Sequence, residues 1–237
     1  VNSVLSPHLR FGEISPFQVW HAVNAATHTR AGEAQFCENA AKFLSEVGWR
    51  EFNASILFHT PGLRERNVRP EFDAFPWREP EPEALRAWQQ GQTGIPLVDA
   101  GMRELWHTGI MHNRVRMVAA SFLVKNLLVD WRIGEAWFWD TLVDADEASN
   151  PGNWQWVAGS GVDAAPYFRV FNPETQAKKF DPLGEYVGKW IPELRHGGSA
   201  DDLFGSGYPA PIVDLRETRV AALAAYSEIR ATAPVED

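Results

Sequence analysis

Three short stretches carry side chains with chemical reach. Glu46, Trp49 and Arg50 recur at i, i+3 and i+4, so a helix there would present a carboxylate, an indole and a guanidinium on one face beside Phe43 and Asn53. The plain reading is an i,i+4 ion pair next to a half-buried Trp. The functional reading is a recognition face, with Trp49 as a stacking plane for a base, Arg50 for phosphate and Glu46 for hydrogen bonds at a base edge.

The second stretch is Met111-His112-Asn113-Arg114-Val115-Arg116-Met117, where Asn113, Arg116 and Met117 share one face of an otherwise apolar helix. A buried Arg or Asn needs a partner, so Arg116 either pairs with an acid across the core or lines a cofactor pocket; one pair can do both. The third stretch runs from Asp144 through Asp146, Glu147 and Asn150 to Trp154 and Trp156. Three acids at this spacing would suit a divalent cation, but no EF-hand pattern follows and neither Gly-rich phosphate motif is present. His107 and His112 are five apart and miss the i,i+4 spacing of helical zinc ligands, so no metal site is expected.

The elements that must position these groups read as helices. Ser15-Pro16-Phe17-Gln18 combines a Ser cap, a Pro at the first helical position and a Gln three residues after the cap, which predicts a helix over 15–27. Apolar periodicity predicts further helices over 33–59, 83–90, 96–108, 113–129, 134–143 and 211–230. Between residues 67 and 82 four prolines mark a loop, and Gly, Pro, Asn and Asp make 144–181 a long loop of the kind that is usually functional. No run of alternating strands occurs, so the fold class is all-α, a single multi-helix domain.

Composition narrows the class further. With 45% hydrophobic and 22% charged residues the chain is globular, and its longest apolar stretch is far short of the roughly 20 residues that cross a bilayer. A single cysteine, Cys37, removes intramolecular disulfides and Cys-based zinc sites and suits a reducing cytoplasm. The net charge of −9 argues against a polyanionic partner, yet Arg103, Arg114, Arg116, Lys125 and Arg132 outnumber Glu104 and Asp130 over 103–132, leaving room for a local basic surface. The 11 tryptophans are the compositional anomaly.

Taken together, the stretches Asn2-Ser3-Val4-Leu5-Ser6-Pro7-His8-Leu9-Arg10-Phe11-Gly12, Trp49-Arg50-Glu51-Phe52, Gly94-Ile95-Pro96-Leu97-Val98-Asp99-Ala100, His112-Asn113-Arg114, Asp144-Ala145-Asp146 and Phe180-Asp181-Pro182 resemble the flavin-binding helical domain of the photolyase and cryptochrome family. Each is weak alone; their order and spacing are specific. The resemblance implies a non-covalent FAD, with the pyrophosphate at Asn2, Ser3, Val4, Leu5 and Ser6. It puts Arg50, Arg116, Asp144, Ala145 and Asp146 along the cofactor, with Arg116 paired to Asp144, and Asn150 beside flavin N5. It further implies light-driven repair of cyclobutane pyrimidine dimers in DNA. Glu46 would hydrogen-bond the flipped dimer, Trp49 and Trp156 would pack on it, and Arg50, Asn53, Asn113, Met117 and Gln176 would complete the pocket. Arg114 matches a DNA-contacting position, and Arg169 would add to it. Trp154, Trp131 and Trp77 match an electron relay running from the flavin to the surface.

By the same resemblance the chain is the catalytic part of a longer protein, lacking an N-terminal α/β antenna domain whose pigment, such as a folate, would be found only in the full-length form. A monomer without membrane contact, acting on UV-damaged DNA in the cytoplasm, is expected. The rival within the family is a cryptochrome-like blue-light photoreceptor that uses the same flavin without repair.

Overall fold

The computed structural model describes residues 3–163, 168–194 and 207–232, and among these the regular elements are all helical. The N-terminal part is α1 (Ser6–Arg10), α2 (Pro16–Thr29) and α3 (Ala34–His59). The expected cap of α2 is present: Ser15 Oγ accepts from Gln18 N–H at 3.2 Å while Gln18 Oε1 accepts from Ser15 N–H at 2.8 Å. A 3-10 turn (Pro70–Ala74) lies within the proline-rich loop, followed by α4 (Pro82–Gln90) and α5 (Pro96–Thr108). Both helices begin with Pro, where the missing N–H has no helical partner to lose, and both end at a left-handed glycine, Gly91 and Gly109.

The core is built around α6 (Asn113–Ser121), whose Val118 and Ala119 are fully buried together with Phe122 and Leu123 just beyond it. Trp88 of α4 is locked against this helix, donating from Nε1 to the Ala119 carbonyl at 3.0 Å. A single helix to residue 129 was expected, but the α-geometry stops at Ser121. A five-residue π-helical turn (Phe122–Asn126) follows, and Leu128 ends it at φ +55°. All five residues of that turn are buried, including Lys125, because the wider turn directs both faces of the segment into the protein. Lys125 Nζ donates to the Ala158 carbonyl at 3.0 Å and sits 3.0 Å from the Phe168 ring centroid; burial pushes its pKa well below the usual lysine range.

The segment 144–181 departs from the expected long loop, since it contains α8 (Ser149–Ala158) and α9 (Pro173–Phe180). The Asn, Pro and Gly residues that read as loop formers occupy the first turns of these helices, where Pro leaves no helical hydrogen bond unmade. Close packing accounts for two glycines. A Cβ on Gly134 of α7 (Trp131–Thr141) would lie 2.2 Å from the Trp154 ring, and one on Gly152 would lie 2.4 Å from Asn53 Oδ1. Two last helices, α10 (Glu185–Trp190) and α11 (Leu215–Thr232), complete the domain. A second apolar cluster joins Ala222, Ala225 and Ile229 of α11 to Phe72, Phe75 and Phe168.

Candidate functional site

The segment Asp144-Ala145-Asp146 is held at every residue by an arginine from a different helix. Arg116 of α6 grips Asp144 with both ends of its fork, at 3.1 and 2.9 Å, and donates from Nε to the Met111 carbonyl at 2.7 Å. Arg10 of α1 donates to the Ala145 carbonyl, and Arg50 of α3 reaches both Asp146, at 3.3 Å, and the Leu9 carbonyl, at 3.2 Å. The expected Arg116–Asp144 pair is therefore present. The plain i,i+4 pairing of Arg50 with Glu46 is not, since Arg50 turns inward to Asp146 while Glu46 stays exposed.

Asp146 also secures the entry to α8, which begins at Ser149. Its Oδ1 accepts from the N–H groups of Ala148, at 3.0 Å, and Ser149, at 2.8 Å, and its carbonyl accepts from Asn150 N–H at 3.0 Å. Burial pushes its carboxyl pKa up, but the Ser149 N–H, the Arg50 charge and the Ala148 N–H outweigh that and hold it below the usual carboxylate range. Asp144 and Asp146 are thus both committed to guanidinia, which leaves the acidic triplet unsuited to a cation. Among the described residues no group of three or more acidic, His or Cys side chains could hold one.

Asn150 follows one turn later, 8% exposed, with Nδ2 donating to Glu135 Oε1 at 2.9 Å and to the Glu135 carbonyl at 3.0 Å. On the other side of Asp146 lies the N-terminal stretch. Ser3 Oγ accepts from Leu5 N–H at 3.4 Å and Val4 takes a left-handed φ of +54°. Asn2, expected in the same stretch, lies outside the described residues.

Trp49 is 44% exposed and meets Phe52 edge to face at 5.4 Å. These two line an open hollow of ≈ 650 Å³ with Ser45, Gly48, Val162 and Asp163. Asn53 was expected on the Trp49 face but is buried at 7% exposure against Gly152, so the recognition face splits: Trp49 outward, Arg50 and Asn53 toward α8. Asn113 is exposed at the first position of α6, after His112, whose Nδ1 accepts from Arg114 N–H at 3.1 Å. Arg114 itself packs its guanidinium 4.4 Å from the Phe180 ring centre. Met117 lies partly buried against the core, Trp156 packs 6.2 Å from Phe171, and Arg169 is 5.8 Å from that same ring. Gln176 Oε1 is buried with no protein partner.

Of the three relay candidates, Trp131 and Trp154 are buried and Trp77 is half-buried. Trp154 meets Phe138 at 5.0 Å and Trp88 at 6.3 Å, both edge on. Trp131 Nε1 donates to Asn67 Oδ1 at 2.9 Å, and Trp77 packs 4.3 Å from Phe75 with its Nε1 unpaired. Sequence reasoning passed over Arg10, Arg64 and Glu135. Arg10 stood in a quoted stretch without a role. The other two are 71 positions apart and carry no local signal.

Residues 43–228 match the family model described as the FAD binding domain of DNA photolyase. The chain belongs to this family. A deoxyribodipyrimidine photo-lyase of Agrobacterium fabrum is 51% identical, aligned over 97% of this chain and 50% of that protein. Cryptochrome-1 of Arabidopsis thaliana is 42% identical over 96% of this chain and 36% of that protein. A bacterial class III photolyase of Agrobacterium tumefaciens superposes with a TM-score of 0.88 at 51% identity, over 97% of this chain and 50% of that one. The chain spans about half the length of the photo-lyase it matches.

The residues present fit the photolyase cofactor, FAD. Asn150 has its Nδ2 donors engaged by Glu135, and Gln176 holds a buried acceptor without a partner. An unfilled buried acceptor such as that of Gln176 calls for a polar ligand. α1 and the arginine-pinned 144–146 segment are tied together through the Arg50 bonds to Leu9 and Asp146, and these groups form a polar wall.

Proposed function

We propose that this chain is the catalytic part of a deoxyribodipyrimidine photo-lyase that repairs cyclobutane pyrimidine dimers in UV-damaged DNA, acting as a cytoplasmic monomer. The observation that carries the proposal is the adjacency, along α3, of a polar wall suited to FAD and an open aromatic hollow suited to a base. Arg50 belongs to the first and Trp49, one residue earlier, to the second.

When bound, FAD in its reduced form supplies the light-driven electron that splits the dimer. The chain's own residues hold and orient. Arg10, Arg50 and Arg116 fix the 144–146 segment so that it forms a rigid edge along the cofactor, while Ser3, Val4, Leu5 and Ser6 offer hydroxyl and N–H groups to phosphate. Trp49 supplies a flat apolar surface for a base turned out of the duplex, with Trp156 on the α8 side. Glu46, exposed beside the hollow, accepts or donates at the base edges, and Gln176, whose buried carbonyl is unpaired, is assigned to the same substrate by its match to the family. Asn53 acts from beneath, fixing α8 through Gly152, and Asn113 and Met117 close the α6 side. Arg114 and Arg169 meet the DNA phosphates. Trp77, Trp131 and Trp154 carry an electron from the surface to the interior, since indole is oxidisable and two of these three are buried.

The test is to illuminate the flavin-reduced chain with dimer-containing DNA and follow the return of the thymine absorbance. Recovery of absorbance supports the reading. No recovery at saturating DNA overturns it and leaves the signalling alternative, a reading that the Arabidopsis cryptochrome relative keeps in view.

A further inference from the structure

The indole of Trp131 is fully buried, and its single polar atom has a partner of its own. Nε1 donates to Asn67 Oδ1 at 2.9 Å, and Asn67 Nδ2 donates in turn to Asp73 Oδ1 at 2.7 Å. Asn67 is buried, whereas Asp73 lies exposed in the 3-10 turn. The direction of these two bonds is fixed, because indole can only donate, a carboxylate can only accept, and the amide between them must turn its carbonyl inward. Over the face of the same ring stands the Arg132 guanidinium, 4.9 Å from the centre and paired with Asp130 at 2.8 Å. Trp77 differs, since its buried Nε1 has no partner.

We propose that Asn67, backed by Asp73, is a positioning residue for electron transfer that stabilises the oxidised form of Trp131 and so draws the electron hole outward from Trp154. This role deepens the proposed function and rests on its assignment of Trp131 to the relay. Once Trp154 has given an electron to photoexcited oxidised FAD, one electron passes from Trp131 to Trp154. Trp154 is restored, Trp131 becomes a radical cation, and no bond is broken. The new positive charge is shared by the indole N–H, so its bond to Asn67 changes from a neutral hydrogen bond to a charge-assisted one of roughly twice the strength. Asp73 adds to this by polarising the amide through Nδ2, which leaves more negative charge on Oδ1. An amide carbonyl is too weak a base to keep the N–H proton, so the oxidised ring remains a cation that the bond continues to favour. Arg132 opposes a positive charge on the same ring, but Asp130 balances it. Because Trp131 is fully buried, water does not compete to solvate the cation, and a fixed dipole counts for more than it would at the surface.

The experiment uses the FAD-loaded full chain carrying W77F, in which the hole can reach Trp131 and go no further. After a flash, the separated charges recombine through Trp154, so their lifetime grows with the share of time that the hole spends on Trp131. N67L should shorten this lifetime about tenfold, the difference between a charge-assisted and a neutral hydrogen bond. D73N leaves Asn67 an acceptor but removes the charge, and should shorten it about threefold. In a W77F/W131F background the hole cannot leave Trp154, and neither substitution should change the lifetime. A purely structural disturbance would act in both backgrounds, so equal shortening in the two overturns the inference. Lifetimes that W131F shortens but N67L and D73N do not overturn it as well, whereas equal lifetimes in W77F and W77F/W131F overturn the place of Trp131 in the relay. D73N alters an exposed side chain and carries the test alone if N67L does not fold. A second measurement needs no light: the magnetic resonance signal of the Trp131 indole N–H should shift in D73N, and an unmoved signal removes Asp73 from the proposal.

Discussion

The arginines around 144–146 do different work although they share a charge. Arg116 makes a two-pronged contact to a nearly buried carboxylate, a geometry that lysine cannot copy. Arg116→Lys should keep the charge balance yet lose one prong and the bond to Met111, lowering stability by about 1–3 kcal/mol. Urea titration of the two proteins measures this, and a change below that range would mean that the fork is redundant. Trp154→Phe is a different kind of replacement, for it retains an aromatic ring against Phe138 and Trp88 while removing the oxidisable indole. Light-driven reduction of oxidised FAD should be blocked in this variant, with repair by pre-reduced protein largely intact. Loss of both activities would contradict the relay role. At this scale the Arg116–Asp144 pair was legible in the sequence, because both residues lie within recognisable stretches. Glu135 and Arg64 were not: their meaning exists only once α7 and the turn after α3 are side by side.

Helices with a clear apolar period and end signals were legible almost to their termini, as α4 and α5 show with Pro at the start and Gly at the end. The failures have a common physical cause. Pro151 and Gly152 favour loops in isolation, yet both are tolerated in the first turn of a helix, and Gly152 is required there by Asn53. Gly152→Ala should therefore destabilise the chain and loosen FAD together, although Ala is the better helix former. Thermal melts with and without FAD check this. The π turn likewise leaves no mark in an apolar stretch. Its Lys125 carries a pH signature: the folded state disfavours the charged amine through burial, so the unfolded chain binds more protons at any pH between the two pKa values. Stability should rise with pH toward the ordinary lysine range, with a slope of at most about 1.4 kcal/mol per pH unit from this group. Lys125→Met should flatten that rise in denaturant melts taken at successive alkaline pH values.

Over the whole molecule the net charge is −9, and under the proposed function binding to DNA must depend on a few local cations. The affinity for dimer-containing DNA should fall with salt, and Arg114→Ala should reduce the slope of log K against log salt by about one if its guanidinium meets a phosphate. A slope unchanged by the substitution would confine Arg114 to its contact with Phe180. The abundance of tryptophan said little by itself; position gave it content, as Trp139 shows by backing the Arg64 fork and Trp88 by anchoring α6.

The three-arginine grip has a thermodynamic corollary. α1 has no buried residue, α2 has only Val19, and α3 has Ala40, Val47 and Asn53, so apolar burial alone attaches this end of the molecule weakly. Arg10 and Arg50 nonetheless reach from it to the 144–146 segment, on the wall assigned to the cofactor. Undocking of the N-terminal helices and release of the flavin then form one linked equilibrium, and each hundredfold excess of FAD over its dissociation constant adds about 2.7 kcal/mol against undocking. A protease that attacks the connection between α2 and α3 would accordingly act as a gauge of flavin occupancy.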